Sequence, residues 1–232
     1  MTEAGRLFGV FFEPGKVFAD VAERPRWWVP VLITTIFAVA FTWALGEHIG
    51  WEKTVRQAIE ANSRTADLPV EQREAAIQRA TKFASTFGYI WAVIGPGIMT
   101  AIVALVLMGI FNGLMGTELK FVHAFAITAY AMLVRAFAAI FMTMILYLKP
   151  PEDFNVRVSP FSPAGYIDPQ SLPKWLFSLL NSIDLFSIWM VILLAIGFAA
   201  ASKKLKFSSA LMGVAIPWVL VVLAMMSMQA IS

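Results

Sequence analysis

Two charged side chains interrupt long apolar runs of the chain and are the first candidates for chemistry. Asp184 stands in the run 178–200 with no other charged residue in it, and Arg135 stands in the middle of the run 121–148. A charge at the centre of a membrane helix costs roughly 3 kcal/mol or more unless it is paired or hydrated. Charges of this kind indicate either a buried ion pair or a path for protons or ions.

Arg135 and Asp184 are expected at similar depths, because both can be measured from the segment 149–172 that their two runs share. They lie about 13 and about 11 residues from it, which at 1.5 Å per helical residue gives depths of roughly 20 and 16 Å. Asn181 and Thr128 lie one and two helical turns away and are predicted to satisfy the remaining donors and acceptors. We therefore predict an intramembrane Arg135–Asp184 ion pair that fixes one span against the next. The alternative is that the pair lines a proton or ion path.

Composition places the chain in the membrane. Of its 232 residues, 59% are hydrophobic and 14% are charged, and the mean hydropathy is +0.73, a balance that no water-soluble domain needs for its core. The net charge of +3 resides mostly in loops beside apolar runs, where Lys and Arg act as topology signals, so nucleic acid is not a predicted partner. We expect an all-α integral membrane protein.

The residues that enzymes and metal sites require are missing from the sequence. There is no cysteine, no HExxH, no GxSxG nucleophile elbow and no Walker lysine. The two histidines, His48 and His123, are predicted at opposite faces of the membrane, so they cannot share one metal ion. The sequence therefore predicts a protein that is not an enzyme and has no metal and no cofactor.

Five segments are long enough to cross a bilayer, which takes about 20 apolar residues in a helix. They cover residues 27–45, 87–114, 121–148, 173–201 and 207–231. They leave extramembrane loops at 46–86 and 149–172. The first loop carries two helical patterns, and the second of these, opened by Pro69, is expected to extend the next span into water. The proline-rich second loop is expected to form a stiff cap, and residues 27–232 to form one five-span membrane domain.

The positions of Lys and Arg predict the orientation of the bundle. The positive-inside rule counts these residues in short loops beside the spans. With the amino terminus in the cytoplasm, three compact cytoplasmic segments hold Arg6, Lys16, Arg24, Arg26, Lys120, Lys203, Lys204 and Lys206. The basic residues of the opposite face are spread over more chain and are partly interleaved with acids. We expect the amino terminus inside and the carboxyl terminus outside.

Residues 1–26 are predicted to form a cytoplasmic amphipathic segment. Pro14 suits the first turn of a helix, and Val17, Phe18 and Val21 then fall on one face of it. This pattern is typical of a surface helix that lies along the cytoplasmic leaflet. The alternative is a helix packed against the ends of the spans.

Glycine and proline within the spans indicate bends and close contacts. These residues are Gly95, Pro96, Gly97, Gly109, Gly113 and Pro217. The triplet in the second span predicts a kink or a helix that begins outside the bilayer, and the proline of the fifth span is expected to act similarly. The two glycines four residues apart match the small-residue motif of close helix packing, which serves either packing within the chain or a homodimer.

Several of the eight tryptophans lie at predicted ends of spans, including Trp27, Trp28 and Trp175. The amphipathic indole ring favours the level of the lipid headgroups. We therefore expect these three side chains to be interface anchors in contact with membrane lipids, in preference to a ligand cage.

Two stretches of the sequence resemble a known family. "FFEPGKVFADVAERPRWWVPVLI", residues 11–33, has a Pro ahead of Val-Phe and a Trp-Trp pair before a Pro at the first span. "IDLFSIWMVILLAIGFAAASKKLKFSSALMGVAIPW", residues 183–218, has an Asp-Leu-Phe-x-Ile-Trp start, small residues around Gly197, a short basic turn and a Pro-Trp in the last span. Both stretches resemble bacterial members of the Yip (Ypt-interacting protein) domain family.

The resemblance implies five spans with a cytosolic amino terminus, in a prokaryotic plasma membrane. Eukaryotic members of the family act in membrane traffic and associate with Rab-type small GTPases and with one another. They usually carry a longer cytosolic amino-terminal region than the 26 residues found here. A small GTPase is therefore not a predicted partner of this chain, and the resemblance leaves the role of the bacterial type undefined.

Two functions from different classes remain. The leading hypothesis is a non-catalytic membrane scaffold or adaptor that recruits or organises other integral membrane proteins, and that can form a homo-oligomer. The alternative is a small transporter or channel subunit in which Arg135, Asp184 and the bend at residues 95–97 line the path. A water-filled route through these residues favours the transporter, and a dry bundle with a sealed ion pair favours the scaffold.

Overall fold

The computed structural model of the chain describes residues 1–60, 69–202 and 204–231. Within them it contains ten α-helices, three short 3-10 turns and no β-strand. The helices are α1 Glu3–Phe12, α2 Pro14–Glu23, α3 Trp28–His48, α4 Trp51–Glu60, α5 Val70–Met115, α6 Phe121–Ala131, α7 Leu133–Leu148, α8 Lys174–Ser182, α9 Leu185–Ala201 and α10 Phe207–Ile231. The 3-10 turns are Pro151–Asp153, Pro163–Tyr166 and Pro169–Ser171. Part of the predicted loop, 61–68, and Lys203 of the predicted basic turn lie outside the described residues.

Four helical segments of the described chain are long and apolar enough to cross a membrane. They are α3, α5, the segment Phe121–Leu148 formed by α6 and α7, and the part Phe207–Met228 of α10. Helices α8 and α9, bent by 52° at a short break, supply a fifth crossing if the pair is one span. The all-α membrane bundle predicted from hydropathy is confirmed, and each predicted span falls on one of these segments.

Helix α5 is much longer than a membrane crossing requires. It has 46 residues, which is about 69 Å at 1.5 Å per residue, against a hydrocarbon core of about 30 Å. It begins at Val70, directly after Pro69, and continues through Pro96 as one helix. The second span is therefore part of a helix that projects beyond the bilayer, as the pattern after Pro69 predicted.

Helix α6 lies at the centre of the bundle. Every side chain from residue 126 to residue 134 is buried, and α1, α2, α3, α5 and α9 all pack against α6. The small side chains of its alanines allow these helices to approach closely, which is the usual basis of helix packing in membranes. A turn at Met132 separates α6 from α7, but its N–H still donates to the Thr128 carbonyl at 2.9 Å, so the third span continues through it.

The amino-terminal segment consists of two helices packed into the bundle, which corrects the predicted surface helix. Helices α1 and α2 form an amino-terminal hairpin, residues 3–23. Val17, Phe18 and Val21 are the predicted apolar face, and all three are fully buried where α2 packs against α9 and α6. Gly197 of α9 leaves the space in which Phe18 and Ile127 lie. The apolar face thus finds protein partners instead of lipid, and residues 1–26 share one core with the spans.

Helix α4 is fastened to the extramembrane part of α5. The Trp51 ring packs against Gly46 of α3 and Gly88 of α5, and a Cβ atom on Gly46 would lie 2.8 Å from Trp51 Nε1. The Arg56 guanidinium forms a two-pronged ion pair with Glu74, with N–O distances of 2.6 and 2.9 Å. This carboxylate raises the pKa of Arg56 above its usual range, because it stabilises the charged guanidinium.

The segment between α7 and α8, residues 149–173, forms a cap loop at one end of the bundle. The Arg157 guanidinium donates to the Ala58 carbonyl of α4 at 3.2 Å. The N–H of Leu185 donates to the Phe161 carbonyl at 3.3 Å. The cap loop therefore contacts α4 on one side and reaches the start of α9 on the other.

Candidate functional site

Arg135 lies on α7, three residues after the turn at Met132. Its neighbours Val134 and Ala136 are buried, whereas the Arg135 side chain is exposed. Among the described residues, no hydrogen bond or ion pair holds its guanidinium. The structure thus places within the third span an exposed arginine that has no ion-pair partner among the described residues.

Asp184 caps helix α9. Its carboxylate accepts hydrogen bonds from the Phe186 N–H at 3.0 Å and the Ser187 N–H at 3.1 Å, and the Ser187 hydroxyl also donates to it. The 52° bend between α8 and α9 falls at this position, so Asp184 begins a helix instead of lying inside a continuous span. Free N–H groups and the helix dipole both stabilise a carboxylate there, which explains one acid in an apolar run.

Arg135 and Asp184 line one cavity of about 330 Å³, together with parts of the cap loop. Within the described part of the chain no ion pair joins the two side chains. The depth predicted for Asp184 assumed one continuous helix from the loop to this residue. The 52° bend between α8 and α9 means that the count of residues no longer gives this depth. The two residues therefore share a cavity wall without the direct contact that their equal depths suggested.

A second cavity, of about 400 Å³, also has Arg135 in its wall and lies between α3, α5 and α7. Ala92 and Pro96 line it, and since Pro96 has no N–H, the Ala92 carbonyl lacks its helical donor. Phe41, Arg135 and Ala139 belong to the walls of both cavities. We call the two together the Arg135 cavities.

The two polar residues predicted to support the ion pair make other contacts. Thr128 is fully buried on α6 and donates its hydroxyl to a carbonyl of its own helix at 2.8 Å. Asn181 accepts from the Ser159 N–H at 2.8 Å and donates to the Arg157 carbonyl at 2.9 Å. Asn181 therefore holds the cap loop against α8, and it also lines the cavity that contains Asp184.

The two glycines of the predicted helix-contact motif face open space. A Cβ atom added at Gly109 or Gly113 would meet no described atom within 4 Å, and the same holds for Gly97. Both motif residues are exposed on α5. The first of the two predicted uses of this motif was close helix packing within the chain. The described structure shows no such contact at these glycines.

Helices α5 and α10 each contain an internal proline and continue through it, Pro96 in α5 and Pro217 in α10. Next to the first of these prolines, Gly95 is buried under an indole ring. A Cβ atom on Gly95 would lie 2.9 Å from Trp91 Nε1. Gly95 thus leaves space for the indole ring of Trp91 in the same helix.

The three predicted anchors lie at helix ends. Trp27 directly precedes α3, Trp28 is its first residue, and Trp175 is the second residue of α8. They are 43%, 57% and 43% exposed, so each ring retains a free face. The Trp27 ring packs edge-on against Phe125 with 5.3 Å between centroids.

A polar cluster that the sequence analysis did not single out fastens the amino-terminal hairpin to α6. Arg6 is only 1% exposed, and its Nε donates to Asp20 Oδ2 at 2.6 Å. Its Nη1 donates to the Arg24 carbonyl at 3.1 Å. The Tyr130 hydroxyl of α6 donates to Glu3 Oε2 at 2.8 Å. We call these residues the hairpin cluster, and it links α1, α2 and α6.

The charges of the hairpin cluster stabilise one another. The pKa of Asp20 lies below its usual range, because the terminal ammonium group of Met1 and the Arg6 guanidinium donate hydrogen bonds to it. The only local sequence signal is the spacing of Glu3 and Arg6, which lie one helical turn apart. The contact with Tyr130 joins residues 127 positions apart and has no local signature.

An apolar groove of about 510 Å³ lies between α1, α3, α7 and α9. All eleven of its lining side chains are apolar. Its aromatic members are Phe8, Phe11, Phe12, Phe37, Phe137 and Trp189.

The fold defines an integral membrane protein, a helical bundle whose amino-terminal hairpin belongs to its core. The Yip1 domain family matches residues 8–228, so the chain belongs to this family, and the resemblance at both ends of the sequence is confirmed. The chain is similar to the membrane protein YknW of Bacillus subtilis (strain 168), with 29% identity over 213 residues that cover 90% of this chain and 85% of the relative. No solved structure matches the chain. The protein is thus a Yip1 family membrane protein of the bacterial type.

Proposed function

We propose that the protein is a non-catalytic membrane scaffold or adaptor that recruits or organises other integral membrane proteins through its spans. The observation that carries the proposal is the apolar groove. Phe8 and Phe12 of α1 stand at the groove with 71% and 83% of their surface exposed. Ile33 and Phe137, from the first and third spans, also line it, so the groove lies beside membrane-spanning helices.

The groove suits a helix of another membrane protein. Helices associate in lipid by close packing of side chains, and an apolar helix laid in an apolar groove is a recurring mode of recognition. Phe11 already packs against the spans, with 5.3 Å to the Phe137 ring and 5.8 Å to the Trp189 ring. This contact makes one wall of the groove rigid and lowers the entropy that is lost on binding.

We further propose that the amino terminus is cytoplasmic and the cap loop lies outside, in a bacterial plasma membrane. The charge distribution supports this orientation through the positive-inside rule. Partners are expected within the membrane. The comparisons with known proteins lend no support to the alternative of a small transporter or channel, and we do not propose it.

The proposal can be tested by site-specific photo-crosslinking in native membranes. A photoreactive phenylalanine analogue is placed at Phe8 or Phe12 and, as a matched control, at Leu148, which is 80% exposed at the other end of the bundle. We expect the two groove positions to cross-link a defined set of membrane proteins and the control position not to.

Affinity capture in a mild detergent then measures the contribution of the groove. Phe12→Ser should reduce recovery of the cross-linked partners at least several-fold, and Leu148→Ser should leave it unchanged. The proposal would be abandoned if the groove positions reacted with lipid alone, or if both substitutions had the same effect on recovery.

A further inference from the structure

The guanidinium of Arg135 has no anionic partner among the described residues. An arginine in the middle of a span is tolerated when it is paired or hydrated. Arg135 lies about 14 residues from each end of the segment Phe121–Leu148, which puts it roughly 21 Å from either end. Its depth is therefore close to the centre of the bilayer, where a counter-charge matters most.

Asp184 is the acidic residue that lines a cavity together with Arg135, but its carboxylate already accepts hydrogen bonds from its own helix. Both of its oxygens accept hydrogen bonds from the first turn of α9. A second arginine, Arg157, lines the same cavity, so the charged residues of that wall are two cations and one acid. The cavity therefore carries a net positive charge.

The Arg135 cavities have the size and the lining of a small-molecule site. Their volumes of about 400 and 330 Å³ fall within the usual range for ligand pockets, about 300 to 1,000 Å³. Phe41, Met132 and Phe186 supply apolar walls. The uncharged polar residues of the lining are Thr34, Thr42, Ser159, Asn181 and Ser187. Such a lining matches a ligand with one charged head and an apolar body.

We propose that the Arg135 cavities bind an amphiphilic anion with an oxyanion head group. The head group accepts hydrogen bonds from the planar Arg135 guanidinium, whose N–H groups match the geometry of phosphate and carboxylate oxygens. The apolar body lies against the aromatic and methionine side chains of the walls. The ligand is either a lipid that enters from the bilayer or a soluble organic anion that enters from water, and both present the same head-group chemistry.

The test uses the full chain purified in a neutral maltoside detergent, with isothermal titration calorimetry as the readout. Decyl phosphate is the probe, added below its critical micelle concentration, and inorganic phosphate is the competitor. We expect saturable binding of one decyl phosphate per chain against the background of neutral detergent. The test requires no partner protein, so its outcome is independent of the proposed scaffold function.

Three variants assign the binding to the cavities. Arg135→Gln should weaken binding of decyl phosphate about tenfold or more, because a charge-assisted hydrogen bond is lost. Ala139→Phe adds a bulky ring to the wall that the two cavities share while Arg135 remains, and should weaken binding as strongly. Arg79→Gln removes an exposed arginine of α5 outside the cavities and should leave binding unchanged. Unchanged elution and circular dichroism establish that each variant is folded.

Competition separates the two sources of the ligand. If inorganic phosphate displaces decyl phosphate at similar concentrations, the oxyanion alone is recognised and an amphiphilic ligand is contradicted. If it does not compete, the apolar body contributes. A lysophosphatidic acid and a soluble aryl phosphate are then compared as competitors, and the tighter of the two indicates whether the ligand enters from the bilayer or from water. Absence of saturable binding to folded wild-type protein, or wild-type affinity in folded Arg135→Gln, would overturn the proposal.

Discussion

At the scale of single residues, the most consequential contacts are those of the hairpin cluster. Arg6 is buried, and it joins α1 to α2 through Asp20 and through the Arg24 carbonyl. An arginine held in this way is costly to remove, because its partners lose a charged donor in a place that little water reaches. The cluster therefore joins α1 to α2 and, through Tyr130, links the hairpin to α6, in addition to the apolar face that buries Phe18.

We expect Arg6→Gln to destabilise the docked hairpin by about 2 kcal/mol, the usual value of a hydrogen bond to a charged group. Hydrogen–deuterium exchange of residues 3–23 in detergent measures the change directly. Lys16→Gln is the control, because Lys16 is 72% exposed and its ion pair with Glu13 lies on the surface. Equal exchange rates in the two variants would show that the cluster does not hold the hairpin.

Gly88 is a second residue whose size affects the packing, because the Trp51 ring occupies the space that a side chain would need. A Cβ atom at this position would overlap the Trp51 ring, whereas one at Gly97 of the same helix would meet no described atom within 4 Å. Gly88→Val should therefore cost about 1 to 3 kcal/mol by overpacking and release α4 from α5. Thermal unfolding in detergent should show a lower midpoint for Gly88→Val than for Gly97→Val, and equal midpoints would contradict this packing.

At the scale of elements, the bend between α8 and α9 gives Asp184 its role. The residue caps a helix that starts within the membrane domain, and the Oδ1 of an asparagine can accept the two backbone hydrogen bonds without the charge. We expect Asp184→Ala to lower stability by about 1 kcal/mol and Asp184→Asn to remain close to wild type. Thermal unfolding of both variants separates the cap from an ion pair, because a partner for Arg135 would make the two substitutions equally harmful.

At the scale of the whole molecule, orientation is the first property to test. The chain contains no cysteine, so single cysteines report their location without background. With the amino terminus inside, Glu152→Cys in the cap loop should react with a membrane-impermeant maleimide on intact cells. Lys120→Cys, between α5 and α6, should react only after the membrane is permeabilised. The reverse pattern would invert the proposed orientation.

Self-association is the second property of the whole molecule. Gly109 and Gly113 are exposed on α5 and make no close contact in the described chain, and we propose that their motif serves a homodimer. We expect Gly109→Leu and Gly113→Leu to abolish a dimer in liposomes while leaving the thermal midpoint unchanged. Gly97→Leu, on another face of α5, is the control. Single-molecule photobleaching counts the subunits, and a monomeric wild-type protein would remove the homodimer from the proposal.

The sequence by itself determined the class of protein, the positions of the spans and the family. These properties depend on the composition of continuous segments, because each span must be apolar over about 20 residues whatever it packs against. The helix that begins after Pro69 was also predictable, since it rests on local periodicity and a proline at the helix start.

Only the tertiary structure decided what the individual polar residues do. An amphipathic face at Val17 and Phe18 needs an apolar partner, and the sequence does not say whether that partner is lipid or, as found, α9. The equal depths of Arg135 and Asp184 assumed straight helices, and the bend at residue 184 turns the acid into a cap. Both outcomes depend on contacts between residues far apart in the chain. The local sequence is compatible with either alternative, and tertiary packing decides which of them forms.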